Sequence, residues 1–221
     1  MDIFKSDVYR GPNLGVFARA NDSVVLVPRG YAGSKAGRIA GLLGTRAVQA
    51  SVANTRLIGA LCVMNNRGLL LPKTAYESEY DHLKEETGLE VGVLDSRLTA
   101  LGNVICANDR GAVVSPRLGA DGCRTVRDVL GVEVVRARVA GLTQAGAAMV
   151  ANNSGAAVHP EADSRDMEEF AGVLGVRVVH ASINNGVPYV ASGIIANNRA
   201  VVAGSLTTGP EIMMLTRAFM N

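Results

Sequence analysis

The chain of 221 residues has no tryptophan, and aromatic residues make up only 4% of it. Its core must come from aliphatic side chains, mostly Val, Leu, Ala and Ile, which the 48% hydrophobic content supplies in quantity. No apolar run approaches the ~18 residues that a membrane span requires, which excludes a helix crossing the bilayer. Cysteine is scarce. Cys62, Cys106 and Cys123 form no close pair and no CxxC, so neither a disulfide framework nor a zinc site is expected, and the pattern fits a reduced, cytoplasmic protein. The first residues, Met1-Asp2-Ile3-Phe4-Lys5, alternate like a strand and lack the basic-then-apolar order of a signal peptide. Charge of one sign is also missing: 22 basic against 20 acidic residues leave a net +2. That argues against attachment to nucleic acid mainly by phosphate neutralisation, while leaving room for a local basic patch.

What the sequence does contain is a repeat. Asn21-Asp22, Asn65-Asn66, Asn108-Asp109, Asn152-Asn153 and Asn197-Asn198 each separate two apolar runs, at intervals of 44, 43, 44 and 45 residues. Tight hairpins that need left-handed residues would explain Asn and Asp there. After each pair comes a short apolar strand: Val24 to Pro28, Leu69 to Pro72, Val113 to Pro116, Ala157 to Pro160, and Val201 to Gly204. Six residues before the pair stands Gly15, Gly59, Gly102 or Gly146, with Ala191 in the fifth copy. Helical spacing follows the hairpin, predicting helices over Glu77 to Thr87, Cys123 to Leu130, Ser164 to Leu174 and Glu211 to Phe219. Gly44, Gly88, Gly131 and Gly175 are placed to cap four helices in the left-handed conformation. New strands then begin at Val48, Val91, Val134 and Val178.

Each unit therefore reads strand, strand, tight turn, strand, helix, and the units fall at about 1–45, 46–88, 89–131, 132–175 and 176–221 of one domain. A unit this small cannot cover its own sheet face, so its neighbours must. The end units carry no polar caps, which favours closure into a ring with Met1 near Asn221. A five-bladed propeller has a similar period but no helix in each blade.

The blocks from Asn54-Thr55-Arg56-Leu57-Ile58-Gly59 through Leu71-Pro72, from Ala100-Leu101-Gly102-Asn103-Val104 through Asn108-Asp109, and His180-Ala181-Ser182-Ile183-Asn184 resemble the translation initiation factor 6 family, over the whole chain. The resemblance implies an α/β pentein fold (a β/α propeller), with five ββαβ-type repeats around a pseudo-fivefold axis. It also implies a cytoplasmic binding protein without catalysis, a ribosome anti-association factor. Such a monomer occupies the intersubunit face of the large ribosomal subunit and keeps the small subunit away. The implied partners are an L14-type ribosomal protein and the nearby sarcin–ricin loop of the rRNA, with a further role in large-subunit biogenesis. No cofactor, metal or membrane is implied. The chain stops before the C-terminal tail of eukaryotic members, as in the archaeal form.

The alternatives are an amidino-group hydrolase or transferase on the same fold, or another rRNA-binding module. The enzymes need a nucleophilic Cys, a His and carboxylates converging on the central channel. Here no Cys lies beyond Cys123, Cys62 and Cys106 sit among apolar strand residues, and His82, His159 and His180 pair with no thiol in the pattern. The Gly-rich stretch from Arg29 to Arg38 lacks the phosphate-loop spacing and reads as a mobile loop whose Lys35 and Arg38 are rRNA-contact candidates. Arg67, Arg110 and Arg199 share one turn position, as a contact rim or as solvated tips. The resemblance and the repeat together nominate Arg56, Ala60, Gly102, Asn103, Ala147, Ala148 and Tyr189 as the ribosome-contact residues. Asn103 is polar where Ala60 and Ala147 are apolar, and it serves either an interface hydrogen bond or its own turn. The Tyr189 ring serves as an anchor or packs on Pro188.

Overall fold

The computed structural model describes residues 1–220. The first unit runs through β1 (Asp2–Ser6), α1 (Leu14–Phe17), β2 (Arg19–Ala20), β3 (Val24–Pro28) and α2 (Gly33–Leu43). The second has β4 (Arg46–Ala50), α3 (Ile58–Leu61), β5 (Val63–Met64), β6 (Gly68–Pro72) and α4 (Glu77–Thr87). The third has β7 (Glu90–Leu94), α5 (Leu101–Val104), β8 (Ile105–Ala107), β9 (Gly111–Val114) and α6 (Ala120–Leu130). The fourth has β10 (Glu133–Arg136), α7 (Ala145–Ala148), β11 (Met149–Ala151), β12 (Ala156–Val158) and α8 (Ser164–Leu174). The fifth has β13 (Val178–His180), a 3-10 turn over Val190–Gly193, β14 (Ile194–Ala196), β15 (Ala200–Gly204) and α9 (Gly209–Phe219).

The described strands form five three-stranded sheets, and no sheet is made by one unit alone. A hairpin such as β2–β3 is antiparallel, and β4 of the next unit joins β3 in parallel. The helix between them is the crossover that a parallel pair requires. The middle strands β3, β6, β9, β12 and β15 are buried along their whole length, which explains their unbroken apolar runs. Each core is likewise shared by neighbours. Val25, Val27, Ile39 and Leu43 of the first unit pack with Ile195 and Val202 of the fifth.

This exchange closes the ring. β1 lies parallel to β15, with Asp2 opposite Ala200 and Ser6 opposite Gly204, so the first strand completes the last sheet. Met1 and Phe219 meet in one apolar cluster, while Asn221 lies outside the described residues. A circular permutant joining the two ends by a short linker, opened between Arg29 and Gly30, is expected to melt cooperatively. A permutant that stays unfolded at every linker length would count against closure.

The Asn pairs do sit at the tight turns, where the side-chain oxygen of each first Asn accepts the backbone N–H groups two and three residues on, but not in the left-handed conformation expected of them. None of them has a positive φ. Asn21, Asn65, Asn108, Asn152 and Asn197 are also buried on the axis and form a closed ring of hydrogen bonds. Each side-chain amide donates to the backbone carbonyl of the next member, at 3.0, 3.1, 3.0, 2.8 and 3.1 Å in turn. The second residues make another ring: Asp22, Asn66, Asp109, Asn153 and Asn198 each give their backbone N–H to the next side-chain oxygen. Arg67, Arg110 and Arg199 are exposed, but they are not free tips. Their guanidinium groups donate to the carbonyls of Gly131, Gly175 and Gly44, where helices α6, α8 and α2 end. A cation there satisfies orphan carbonyls and complements the helix dipole.

The cap glycines Gly44, Gly88, Gly131 and Gly175 have φ between 62° and 67°, as expected. Helix α4 and helix α8 have the expected limits, whereas α6 and α9 start three and two residues earlier, at Ala120 and Gly209. The stretch from Arg29 to Arg38 is not a loop throughout, since Gly33 begins α2. Ala36, Ile39, Ala40 and Leu43 of this helix are buried, and that packing overrides three glycines on its exposed side.

Candidate functional site

The inner strands β2, β5, β8, β11 and β14 line an axial channel. The Asn rings close one end. At the other end stand α1, α3, α5, α7 and the 3-10 turn, brought together by small residues. A Cβ on Gly59 would lie 1.9 Å from the carbonyl oxygen of Gly15, and one on Gly102 would lie 1.9 Å from that of Gly59. Only glycine permits this approach, which accounts for the glycine six residues before four of the five Asn pairs.

This end of the ring holds most of the nominated contact residues. Asn103 and Ala147 line its mouth together with Val16, Ala191 and Ser192. The Asn103 side chain makes no hydrogen bond within the described residues, so it does not tie its own turn; only its backbone N–H does, to Ala100. Ala60 is half-buried on α3, which packs against α5. Gly102 and Ala148 are buried and support the face from beneath. Arg56 is exposed, with its guanidinium 5.5 Å from the centre of the Tyr9 ring. Tyr9 in turn packs edge-on against Phe17 at 5.3 Å. Leu57 and Tyr9 are 41% and 39% exposed, so the mouth has an apolar flank that no sequence signal singled out. Tyr189 is 44% exposed, and its ring meets His159 at 5.9 Å. Lys35 and Arg38 line a separate cavity beside β1 and are not part of this face.

Among the described residues that line the channel, Arg19 is the one cation. Arg19 donates from Nη2 to the carbonyl of Gly59 at 2.6 Å, and its buried Nε has no partner among the described residues. Cys106 lines the channel and Cys62 lies in the second unit's apolar core; both are buried, and burial pushes the thiols up to about 11 for Cys62 and about 12 for Cys106, with Arg19 opposing. Each imidazole is engaged elsewhere: His82 with the carbonyl of Gln49, His159 with the amide of Glu161, and His180 with the carbonyl of Ala162. Among the described residues no helix is long and apolar enough to cross a membrane.

Residues 3–218 match the model of the eIF-6 family. The chain belongs to the eIF-6 family. Among its members, translation initiation factor 6 of Nitrosopumilus maritimus (strain SCM1) is 68% identical over 221 residues, covering 100% of both chains. That of Cenarchaeum symbiosum (strain A) is 60% identical, covering 99% of each. The N-terminal domain of ArgZ, covalently bound to a reaction intermediate, resembles this eIF-6 family chain in fold alone. Its TM-score is 0.52 at 13% identity, over 76% of this chain and 67% of that one. The eIF-6 family member described here thus has the pentein fold, and its close relatives are named as translation initiation factors.

Proposed function

We propose that the protein is a translation initiation factor that binds the large ribosomal subunit and sterically prevents the small subunit from joining. It acts as a monomer, without catalysis or a cofactor. The observation that carries this reading is the mouth opposite the Asn rings. There an uncommitted amide, Asn103, stands among small residues, flanked by exposed Arg56, Leu57, Tyr9 and Tyr189. Arg and Tyr at a partly apolar centre are what protein interfaces favour. An L14-type ribosomal protein is the partner for this face, with the sarcin–ricin loop beside it. The raised pKa values of the buried thiols support a binding role over a thiolate nucleophile.

Sedimentation tests the reading. The protein is expected to travel with large subunits, and to lower the fraction of joined ribosomes without any nucleotide. Asn103→Ala is expected to weaken subunit binding roughly 5- to 150-fold, because partner groups lose a hydrogen bond worth ~1–3 kcal/mol. Its melting temperature should stay near that of the parent, as for a surface change of within ~0.5 kcal/mol. Co-sedimentation with small subunits or with joined ribosomes at equal occupancy would sink the idea.

A further inference from the structure

In the second and fifth units, a carboxylate at the third position of the helix clamps a left-handed bend. Glu79 of α4 accepts the backbone N–H groups of Ala53 and Asn54 at 2.8 and 2.9 Å, and that of Tyr76 at 3.0 Å. Glu211 of α9 accepts those of Asn185, Gly186 and Thr208 at 3.1, 2.8 and 2.8 Å. A hydroxyl just before the bend assists, with Ser182 donating to Glu211 at 2.9 Å. Asp166 of α8 occupies the same place in the fourth unit, facing the backbone of the bend at Ala140. The third unit has Gly122 there, and no left-handed bend among the described residues from Leu94 to Leu101.

The first unit breaks the rule. It has the bend, with Tyr9 at φ 55° and Arg10 at φ 61°. Yet the third position of α2 is Lys35, and the residue matching Ser51 and Ser182 is Asp7. No carboxylate reaches the amides of Tyr9, Arg10 or Ala32, which have no partner among the described residues. Between helix and bend lies a cavity of about 400 Å³, lined by Lys5, Arg10, Lys35 and Arg38 along with Asp7. Lys5 is held in position by donating to the carbonyl of Thr207 at 2.7 Å. Among the described residues Asp7 forms no ion pair with any of these cations, and its buried Oδ1 has no hydrogen-bond partner.

We propose that this cavity seats a backbone phosphate of RNA, taking the place that an internal carboxylate fills in the second and fifth units. Four cations and the free amides of the bend suit a phosphate. The unpartnered oxygen of Asp7 calls for a donor on the same ligand, and the ribose 2′-hydroxyl supplies one that DNA lacks. The proposal deepens the assignment of Lys35 and Arg38 to rRNA and rests on the ribosome-binding reading for the source of that RNA.

The test begins with the isolated protein. Inorganic phosphate is expected to raise its melting temperature above that in chloride of equal ionic strength. A short single-stranded RNA should bind at least about 5-fold more tightly than DNA of the same sequence, the effect of one hydrogen bond. The double variant Asp7→Ser/Lys35→Glu rebuilds the clamp of the second unit. It should melt higher in chloride, lose the phosphate shift and bind RNA at least about 10-fold more weakly. The single variants Lys35→Gln and Arg38→Gln, at exposed positions, report the same loss if the double variant does not fold. No phosphate-specific shift in the parent, an equal shift in the variants, or equal affinity for RNA and DNA would each overturn the proposal. Large-subunit pelleting is scored separately. Its failure alongside an intact RNA preference would overturn the ribosome reading while supporting the pocket.

Discussion

Replacing Asn65 by Ala is expected to lower the unfolding free energy by ~3–5 kcal/mol, the largest effect foreseen for a single side chain here. Asn65 sits on the axis with all four of its polar sites in use. Its amide donates to the carbonyls of Asn108 at 3.1 Å and Leu130 at 2.9 Å. Its oxygen accepts from the amides of Arg67 and Gly68, both at 2.9 Å. Ala leaves these four buried or half-buried partners unpaired, and each orphaned group costs ~1–3 kcal/mol, less what water entering the opened space recovers. The break also falls in a closed ring, so it loosens the joint between the second and third units and not merely one turn. Arg67→Ala is the internal contrast. It removes only an exposed cap on α6, worth ~0.3–1 kcal/mol. Urea unfolding of both variants measures the difference. An Asn65→Ala loss no greater than that of Arg67→Ala would show that the ring does not hold the units together.

The second large effect is acid sensitivity traced to Glu211. Burial, the largest single cause, raises its pKa. The amides of Thr208 and Gly186, the hydroxyl of Ser182 and the amide of Asn185 together outweigh it and hold the group at about 2, against an ordinary 4.5. A depressed folded-state pKa stabilises the fold above the unfolded value, and this contribution fades as pH falls from about 4.5 towards about 2. The shift corresponds to on the order of 3 kcal/mol. Glu79 is lowered too, by the same kind of amide clamp, and adds in the same direction. Glu211→Gln is therefore expected to be less stable than the parent at neutral pH. Its stability should also fall less steeply across the acid range. Unfolding free energies at a series of pH values from about 7 to about 2 check both, and parallel curves for parent and variant would refute the assignment.

Both effects bear on how the face at the channel mouth is held. Glu79 and Glu211 fix the bends that lead into α3 and into the 3-10 turn, and these carry Ala60 and Tyr189 or lie beside them. Asn65 anchors the far end of the strand that α3 feeds. In the second and fifth units the inner strand is thus tied at both ends.

The number of units, their period and the family were legible in the residues alone. Those signals are local: an apolar run, a helical spacing and a cap glycine each act over a few residues, so they repeat visibly wherever a unit repeats. Helices α4 and α8 were legible to the residue, because α4 opens with a charged turn and α8 with a capping Asp163. Helix α2 was not. Gly33, Gly37 and Gly41 hid it although Ala36, Ile39, Ala40 and Leu43 carried the spacing, since burial against the neighbouring unit outweighs weak propensity. The Asn residues were legible as turn residues, but not the ring they also form, because its partners lie 43 to 45 residues away and come within reach only when the ring closes. Lys35 and Arg38 were legible as basic residues, but not the cavity they share with Lys5 and Arg10. That cavity exists because β1 pairs with β15 at the seam and brings Lys5 beside α2, an arrangement that no local pattern encodes.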